Sequence, residues 1–368
     1  MQSEEIMYYI AIDLIPGIGS TLAKRLIAYC GSAQAVFAAK NNNLQKIPGI
    51  GALLSKEIVS QQVLQQAEKE MEFIRKHHIN AYCYTDNDYP ERLRQCEDGP
   101  VVFFSKGNID FNRDKFLSVV GTRNATAYGQ SVCEKIIGRL AELGHQAVIV
   151  SGLAYGIDIC AHRAALNYGL DTVAVMATGL NQIYPGSHTA TARQIIAHGA
   201  LISDFTSDTK LDRKNFLKRN RIIAGLSDAT LVIESQAKGG ALITADLAQS
   251  YNRDVFAVPG RVGDLFSEGC NNLIRQNKAA LVQNAEELEY FLRWEKSPEQ
   301  QSKQLPLFSD FSEEEQLIIE TLRNKNSESI DVISYRTNIP VGKLSSLLLS
   351  LEFKDVVKSL PGKQYLLR

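Results

Sequence analysis

The sequence predicts an α/β fold in which a doubly wound, mainly parallel sheet is flanked by a smaller domain on each side. From about residue 116, short apolar runs alternate with amphipathic helical stretches, the pattern of strands joined by crossover helices. Ahead of them a glycine-containing motif occurs twice among helical patterns, and after residue 294 a polar, proline-bearing stretch sets off a last small segment. At 368 residues, with 45% hydrophobic and 22% charged residues, the chain is long enough for two or three domains.

The repeated motif is IPGIG, at 15–19 and 47–51. Each copy leads into a helical pattern: STLAKRLIAYC, with Leu22, Leu26 and Ile27 apolar, and ALLSKEIVSQQ, with Leu53, Leu54 and Ile58 apolar. This is helix-hairpin-helix (SAM-like) spacing, and it marks residues 1–80 as a helical domain. The glycines permit a tight turn whose N–H groups can hold a phosphate at a helix start. Cations and acids nearly balance over 1–80, so a packing or protein-contact role is favoured over direct DNA contact.

Residues 81–294 form the next domain. Its strands are read at FLSVVG, HQAVIVSG, DTVAVMATG, GALISDF, ATLVIES and DVFAVPG, and its helices at YGQSVCEKIIGRLAELG, IDICAHRAALNYG, HTATARQIIAHG and GGALITADLAQSYN. In such a sheet, ligands bind beyond the carboxyl ends of the strands. GTRNATAYG (121–129), SGLAYGID (151–158), ATGLNQIYPGSH (177–188) and KGGALITA (238–245) occupy those ends. Glycines and small hydroxyls let backbone N–H groups approach a phosphate, which nominates Gly121, Thr122, Ser151, Gly152, Gly179, Gly239 and Gly240. Arg123 stands in the first of these loops. Lys218, Arg219, Asn220 and Arg221 stand in NFLKRNRIIAGLSDATLVIE (215–234), read as a short helix with cations at its N-terminal end, where they are unfavourable without an anion. Between 210 and 221 the cations Lys210, Arg213, Lys214, Lys218, Arg219 and Arg221 face a single acid, Asp212, in a chain of net charge −1. Any polyanion site is therefore a local patch.

Several classes are disfavoured. Neither GxGxxG nor GxxxxGK[ST] occurs, which argues against bound NAD or ATP, and no cofactor is expected. No apolar run approaches the roughly 20 residues of a membrane span, and MQSEEIMYYI lacks a signal-peptide layout, so the expected location is the cytoplasm with no membrane partner. Six cysteines (30, 83, 96, 133, 160 and 270) include no CxxC pair, so neither a zinc site nor a disulfide framework is indicated.

Together VVGTRNATAYG, VSGLAYGIDICAHRAAL, VMATGLNQIYPGSH, GALISDF, FLKRNRIIAGLSDATLVIE, GGALITADLA and VFAVPGRVGDLFSEGCNNLI resemble the DprA (Smf) DNA-processing proteins, as does DYPERL…DGPVVFFSKG (88–107), which precedes the sheet in that family. The resemblance covers nearly the whole chain. It implies a Rossmann-like domain that binds single-stranded DNA, works as a homodimer and delivers strands to the recombinase RecA during natural transformation. It places the family's DNA-contacting arginine on Arg123 and its RNR stretch on Arg219, Asn220 and Arg221, and makes the awaited anion the strand's phosphate backbone. Tyr155 stands where the family usually has arginine, which removes a phosphate contact and offers a ring for stacking. Prolines common before the RNR stretch are missing around DFTSDTK, which leaves the shape of the 204–214 loop open. A related Rossmann-like family of nucleoside-monophosphate phosphoribohydrolases is the alternative, but KGGALITAD lacks the proline of its PGGxGT motif and carries Asp246 rather than glutamate. A non-enzymatic binder with no catalytic or metal-ligating set is expected. A hub that binds only proteins leaves the cationic rim unexplained.

EKSPEQQSKQLPLFSD (295–310) reads as a linker. Residues 311–368 follow as a winged-helix-like domain: a helix capped by Ser312, helices at DVISYRT and PVGKLSSLLLSLEF, and a hairpin about Pro361-Gly362. Such a domain often ends the family's chains. Lys343 is the only cation of its candidate recognition helix, which favours a protein-contact module over a duplex reader. Asp158 and His162, four apart, are expected to cap or support rather than bind metal, and His188 to cap or line the rim. Tyr184-Pro185 is read as a turn that stacks a base or nothing, and Phe205 and Phe216 as core rather than base platforms.

Overall fold

The computed structural model describes residues 3–294, 311–323, 328–354, 356–360 and 364–367, which belong to two compact units, 1–300 and 301–368. Helices α1 (Ser3–Asp13), α2 (Ser20–Cys30), α3 (Ala33–Ala38), α4 (Asn41–Leu44), α5 (Ala52–Ser60) and α6 (Gln62–Lys76) open the first unit. Gly17 and Gly49, central in the two IPGIG copies, adopt φ of +86° and +90°, which only glycine enters without strain. The two turns lock against each other's helices. A Cβ on Gly17 would meet Leu54 at 3.2 Å, one on Gly49 would meet Leu22 at 2.8 Å, and Arg25 Nη1 donates to Pro48 O at 2.8 Å.

The sheet follows, with strands β1 (Asn80–Cys83), β2 (Val102–Gly107), β3 (Phe116–Val120), β4 (Val148–Ser151), β5 (Thr172–Val175), β6 (Gly199–Ser203), β7 (Ala229–Val232), β8 (Asp254–Ala257) and β9 (Ala280–Leu281). Between them lie α7 (Glu91–Arg94), α8 (Ala127–Glu142), α9 (Ile157–Asn167), α10 (Thr189–Ala197), α11 (Arg213–Leu226), α12 (Gly240–Ser250) and α13 (Glu268–Arg275), with α14 (Ala285–Leu292) closing the unit. The strand order is β1-β2-β6-β5-β4-β3-β7-β8-β9. All neighbours from β6 to β9 pair in parallel; β2 runs antiparallel to β6, and β1 antiparallel to β2. The order reverses at β3, which places a switch-point crevice at the carboxyl ends on either side of it.

Side chains alternate across β3. Phe116 and Val120 join one core with Val150, Val175, Ile222 and Leu226, while Leu117 and Val119 join the other with Ile137, Ile149 and Phe256. The 88–107 segment, expected only to precede the sheet, supplies β2 within it. Val101, Val102 and Phe104 share a core with Ile10, Leu26 and Ile74, so the helices of 3–76 pack against the antiparallel end of the sheet.

In the second unit, α15 (Glu313–Leu322) starts at a capping box in which Glu315 N donates to Ser312 Oγ at 3.3 Å and Ser312 N to Glu315 Oε2 at 3.0 Å. Strand β10 (Glu328–Ser329), α16 (Ile330–Thr337), α17 (Val341–Phe353), β11 (Val357–Leu360) and β12 (Gln364–Leu367) complete it, with β12 between β10 and β11. Leu344, Leu348 and Leu351 bury one face of α17 against Ile318, Leu322 and Ile333. Lys343 pairs with Glu314 at 2.5 Å. The 295–310 linker and the Pro361-Gly362 turn lie outside the described residues.

Candidate nucleic-acid interface

The 210–221 cations lie on or just before α11, and the helix begins earlier than its sequence suggests. Asp212 is the N-cap, accepting from Lys214 N at 2.8 Å, so Lys218, Arg219 and Arg221 sit in mid-helix rather than at its start. The first turn holds Arg213 and Lys214 instead. Of the six cations, Lys210, Arg213, Lys214 and Lys218 are exposed, and the other two point into the protein.

Arg219 is 3% exposed, and its Nη1 donates to Val175 O at 2.5 Å, beneath the loop after β4. Burial pulls its pKa down to about 10, partly offset by the Asp158 carboxylate, and its Nε has no partner. Arg221 donates to the Asp204 carboxylate and to Asp98 O. Asp98 also accepts from the Tyr251 hydroxyl at 2.6 Å. Asp13, from α1, belongs to the same group, its pKa pushed up to about 7 by burial and then by the Asp204 charge. The expectation that Arg219 and Arg221 hold phosphate is corrected: one guanidinium braces strand ends from inside, and the other ties α11 to the loop before β2 and the one after β6. Lys218 lies one turn before Arg221, on the Asp13 side, and Asn220 is half-buried.

At three of the glycine loops the protein's own atoms stand where a side chain would. A Cβ on Gly121 would lie 2.5 Å from Ile157 Cγ1, one on Gly152 1.8 Å from Arg219 Nη1, and one on Gly179 2.4 Å from Thr206 O. These glycines exist for close packing. Thr122 N donates to Glu234 O at 2.8 Å, and Ser151 Oγ donates to Val119 O at 2.6 Å, so that backbone N–H and that hydroxyl proton are already engaged inside the fold. Gly240 does face open space, and Gly239 before it caps α12 with no side-chain acceptor over the helix's first N–H groups.

The carboxyl rim brings together a different set. Arg123 is exposed, with its guanidinium 5.2 Å from the Phe216 ring centroid. Phe216 meets Tyr184 edge-on at 5.7 Å, and Tyr184 is 43% exposed. Beside them Tyr155, 50% exposed, meets His188 edge-on at 5.0 Å and accepts from Ser187 Oγ at 3.3 Å. His188 is buried and its Nδ1 lies 2.8 Å from Leu153 O, which fixes the 151–156 loop to the 177–188 loop. Phe216 and Phe205 are therefore half-buried rather than core. Asp158 caps the turn before α9, receiving Ala154 N at 3.4 Å, and His162 packs its Nδ1 on Thr172 Oγ1 at 2.7 Å. An exposed arginine over the Phe216 ring, with Tyr184 edge-on to that ring, forms a surface on which flat rings can stack and a phosphate can find one cation.

The family model of DNA recombination-mediator protein A matches residues 80–293, and that of the DprA winged helix domain matches 297–363. The chain belongs to the DprA family. Protein Smf of Escherichia coli strain K12 is 34% identical over 331 residues, 83% of this chain and 85% of that protein. The DNA processing protein DprA of Streptococcus pneumoniae is 38% identical over 208 residues, 56% of this chain and 72% of that one. An X-ray structure of the Streptococcus pneumoniae DprA matches with a TM-score of 0.67 at 30% identity, covering 79% of this chain and 98% of that one. A structure of DNA processing protein A from Helicobacter pylori, reported for its single-stranded DNA binding mode, matches with a TM-score of 0.53 at 28% identity, covering 58% and 95%. Among the described residues no helix is long and apolar enough to cross a membrane. The DprA match confirms the Rossmann-like core and the winged-helix domain, in accord with the strand order above.

Proposed function

We propose that this DprA-family chain binds single-stranded DNA non-specifically, requiring no particular sequence, and loads the recombinase RecA onto it during DNA uptake, as a cytoplasmic homodimer without catalytic activity of its own. The observation that carries this is the Arg123–Phe216–Tyr184 array at the carboxyl rim, in which Arg123 and Tyr184 are exposed and Phe216 is half-buried. Aromatic faces accept any base, and a cation beside them accepts the backbone common to all sequences. Lys218, Asn220 and the open N-terminus of α12 at Gly239 and Gly240 extend the contact, while Arg219 adds positive potential from below. The Helicobacter pylori relative, whose structure concerns a single-stranded DNA binding mode, supports the same reading. The phosphoribohydrolase alternative gains nothing from Asp246, which is spent in an ion pair with Lys278 at 2.9 Å.

The test is strand affinity by fluorescence anisotropy at two or more salt concentrations. Arg123→Ala lowers the salt slope by about 0.7, one phosphate contact, and Phe216→Ala weakens binding by roughly 1–3 kcal/mol on every base sequence. Loading is read as recombinase ATPase on a strand pre-coated with single-strand-binding protein, with the chain added or withheld. An unchanged slope in folded Arg123→Ala, or no stimulation of the recombinase, contradicts the corresponding half of the proposal.

A further inference from the structure

The carboxyl rim has a second half, over β7 and β8, that the array above does not use. There a cavity of about 890 Å³ opens between the start of α8 and the loop after β8, within the range of ligand pockets. Its lining is unlike a phosphate site. Glu234, 3% exposed, already occupies the N-terminus of α8, where its carboxylate accepts from Thr126 N at 2.9 Å and from Thr126 Oγ1 at 2.5 Å. An anion is repelled from that floor. A carboxylate has about four acceptor positions, so Glu234 can still take a donor from a ligand. Ser267, 6% exposed, lines the same cavity, and its hydroxyl makes no hydrogen bond among the described residues. That leaves the hydroxyl's donor and acceptor positions open to whatever fills the cavity. Above the floor the walls are flat or apolar: Tyr128, 50% exposed and held by its hydroxyl on Pro259 O at 2.9 Å, with Pro259 and Leu265. Arg261, exposed, stands in the lining from the 261–265 loop.

We propose that this cavity receives one nucleobase bearing an exocyclic amino group, supplied by the strand bound at Arg123. The aromatic face of Tyr128 stacks the ring, Glu234 accepts from the amino group, Ser267 completes the edge, and Arg261 meets the adjoining phosphate. Thymine is disfavoured because its only ring N–H lies between two carbonyl oxygens, which the carboxylate repels. Continuity with the first half is direct. Arg123 and Thr126 belong to one loop, and three residues of chain span at most about 10 Å. The inference rests on the single-strand reading, and it adds a base preference that the stacking array does not supply.

The experiment uses the full chain with oligo-dC and oligo-dT of equal length, and the variants Tyr128→Ala and Ser267→Ala. Ser267→Ala removes a hydroxyl with no native partner, so it folds as the parent does. The parent is expected to hold oligo-dC several-fold more tightly than oligo-dT. Tyr128→Ala lowers oligo-dC affinity about tenfold and Ser267→Ala about threefold, while both leave oligo-dT within about twofold. Equal binding of the two oligomers, unchanged in both variants, overturns the base pocket and leaves the single-strand reading standing. Failure of the parent to bind either oligomer overturns both. If free deoxycytidine raises the melting temperature of the parent and not of Tyr128→Ala, while the two oligomers bind alike, the pocket serves free nucleosides and the strand as its source is overturned.

Discussion

Replacing Arg221 with alanine separates a phosphate ligand from an internal tie. The Arg221 guanidinium donates to both the Asp204 carboxylate and Asp98 O, and the two side chains of the ion pair are 16% and 8% exposed. Truncation leaves a nearly buried carboxylate without its cation and a carbonyl without its donor. Removing one partner of a buried pair costs about 3–5 kcal/mol, and the residual exposure of Arg221 puts the expectation at the lower end, ~3 kcal/mol. For a unit of this size, where each kcal/mol moves the transition by about 2 °C, the melting temperature falls by about 6 °C. The assay is thermal unfolding by circular dichroism at pH 7.5, with strand affinity measured at two salt concentrations well below the transition. The salt slope of the folded variant stays at the parent value, because no phosphate contact is lost. A variant that melts within about 1 °C of the parent and has a shallower salt slope refutes the tie and restores Arg221 to the binding surface.

Three further outcomes are expected. Gly152→Ala, whose new methyl would sit 1.8 Å from Arg219 Nη1, destabilises by about 1–3 kcal/mol in a thermal melt, because the guanidinium beneath it is buried and hydrogen-bonded to Val175 O. Asp13 has a folded-state pKa of about 7 against 3.8 in the unfolded chain, so the folded state holds the proton more tightly between those values. Its contribution is full below pH 3.8 and lost as pH rises through 7; the melting temperature of the parent relative to Asp13→Asn therefore rises as pH falls from about 8 to 5, and a difference that does not change with pH contradicts the assignment. Deleting residues 295–368 leaves single-strand affinity within about tenfold, or ~1.4 kcal/mol, by anisotropy, since the cationic rim lies in the first unit.

The central sheet was legible because each parallel strand is buried on both faces and so appears as a continuous apolar run. All six runs named from the sequence contain strands, β3 through β8. β1 and β2 were not found, because NAYC and VFFSKG have no crossover helix to flag them and their role is to carry the helical domain on the sheet edge. The site was legible only in part. Arg123 follows a strand end and is exposed, as expected. The glycines were read as room for a ligand, but at 121, 152 and 179 they are room for the protein's own atoms. A glycine signals close approach without naming what approaches. Phe216 was undervalued because aromatic residues in an α/β chain are usually core, and only the loop packing shows its ring between Arg123 and Tyr184.

The fate of the two RNR arginines was recoverable from helical period rather than from charge count. Ile222, Ile223 and Leu226 define the apolar face of α11, and stepping back three or four positions from them reaches Arg219 and then Asn215. Both are buried. Phe216 and Asn220, one position round from that face, fall at its half-buried margin, and Phe216 meets Arg123 and Tyr184 there. Arg221, two further on from Arg219, turns about 200° away and meets Asp204 instead. Lys214 and Lys218, four apart, share a solvent face. Six cations in twelve residues thus divide three ways: solvent-facing charge, a brace under the strand ends, and a tie to the neighbouring loops. The same division explains why a cationic stretch is compatible with a stable helix here, since Arg219 and Arg221 make their compensating contacts inside the fold and only the remaining four need water or a bound strand.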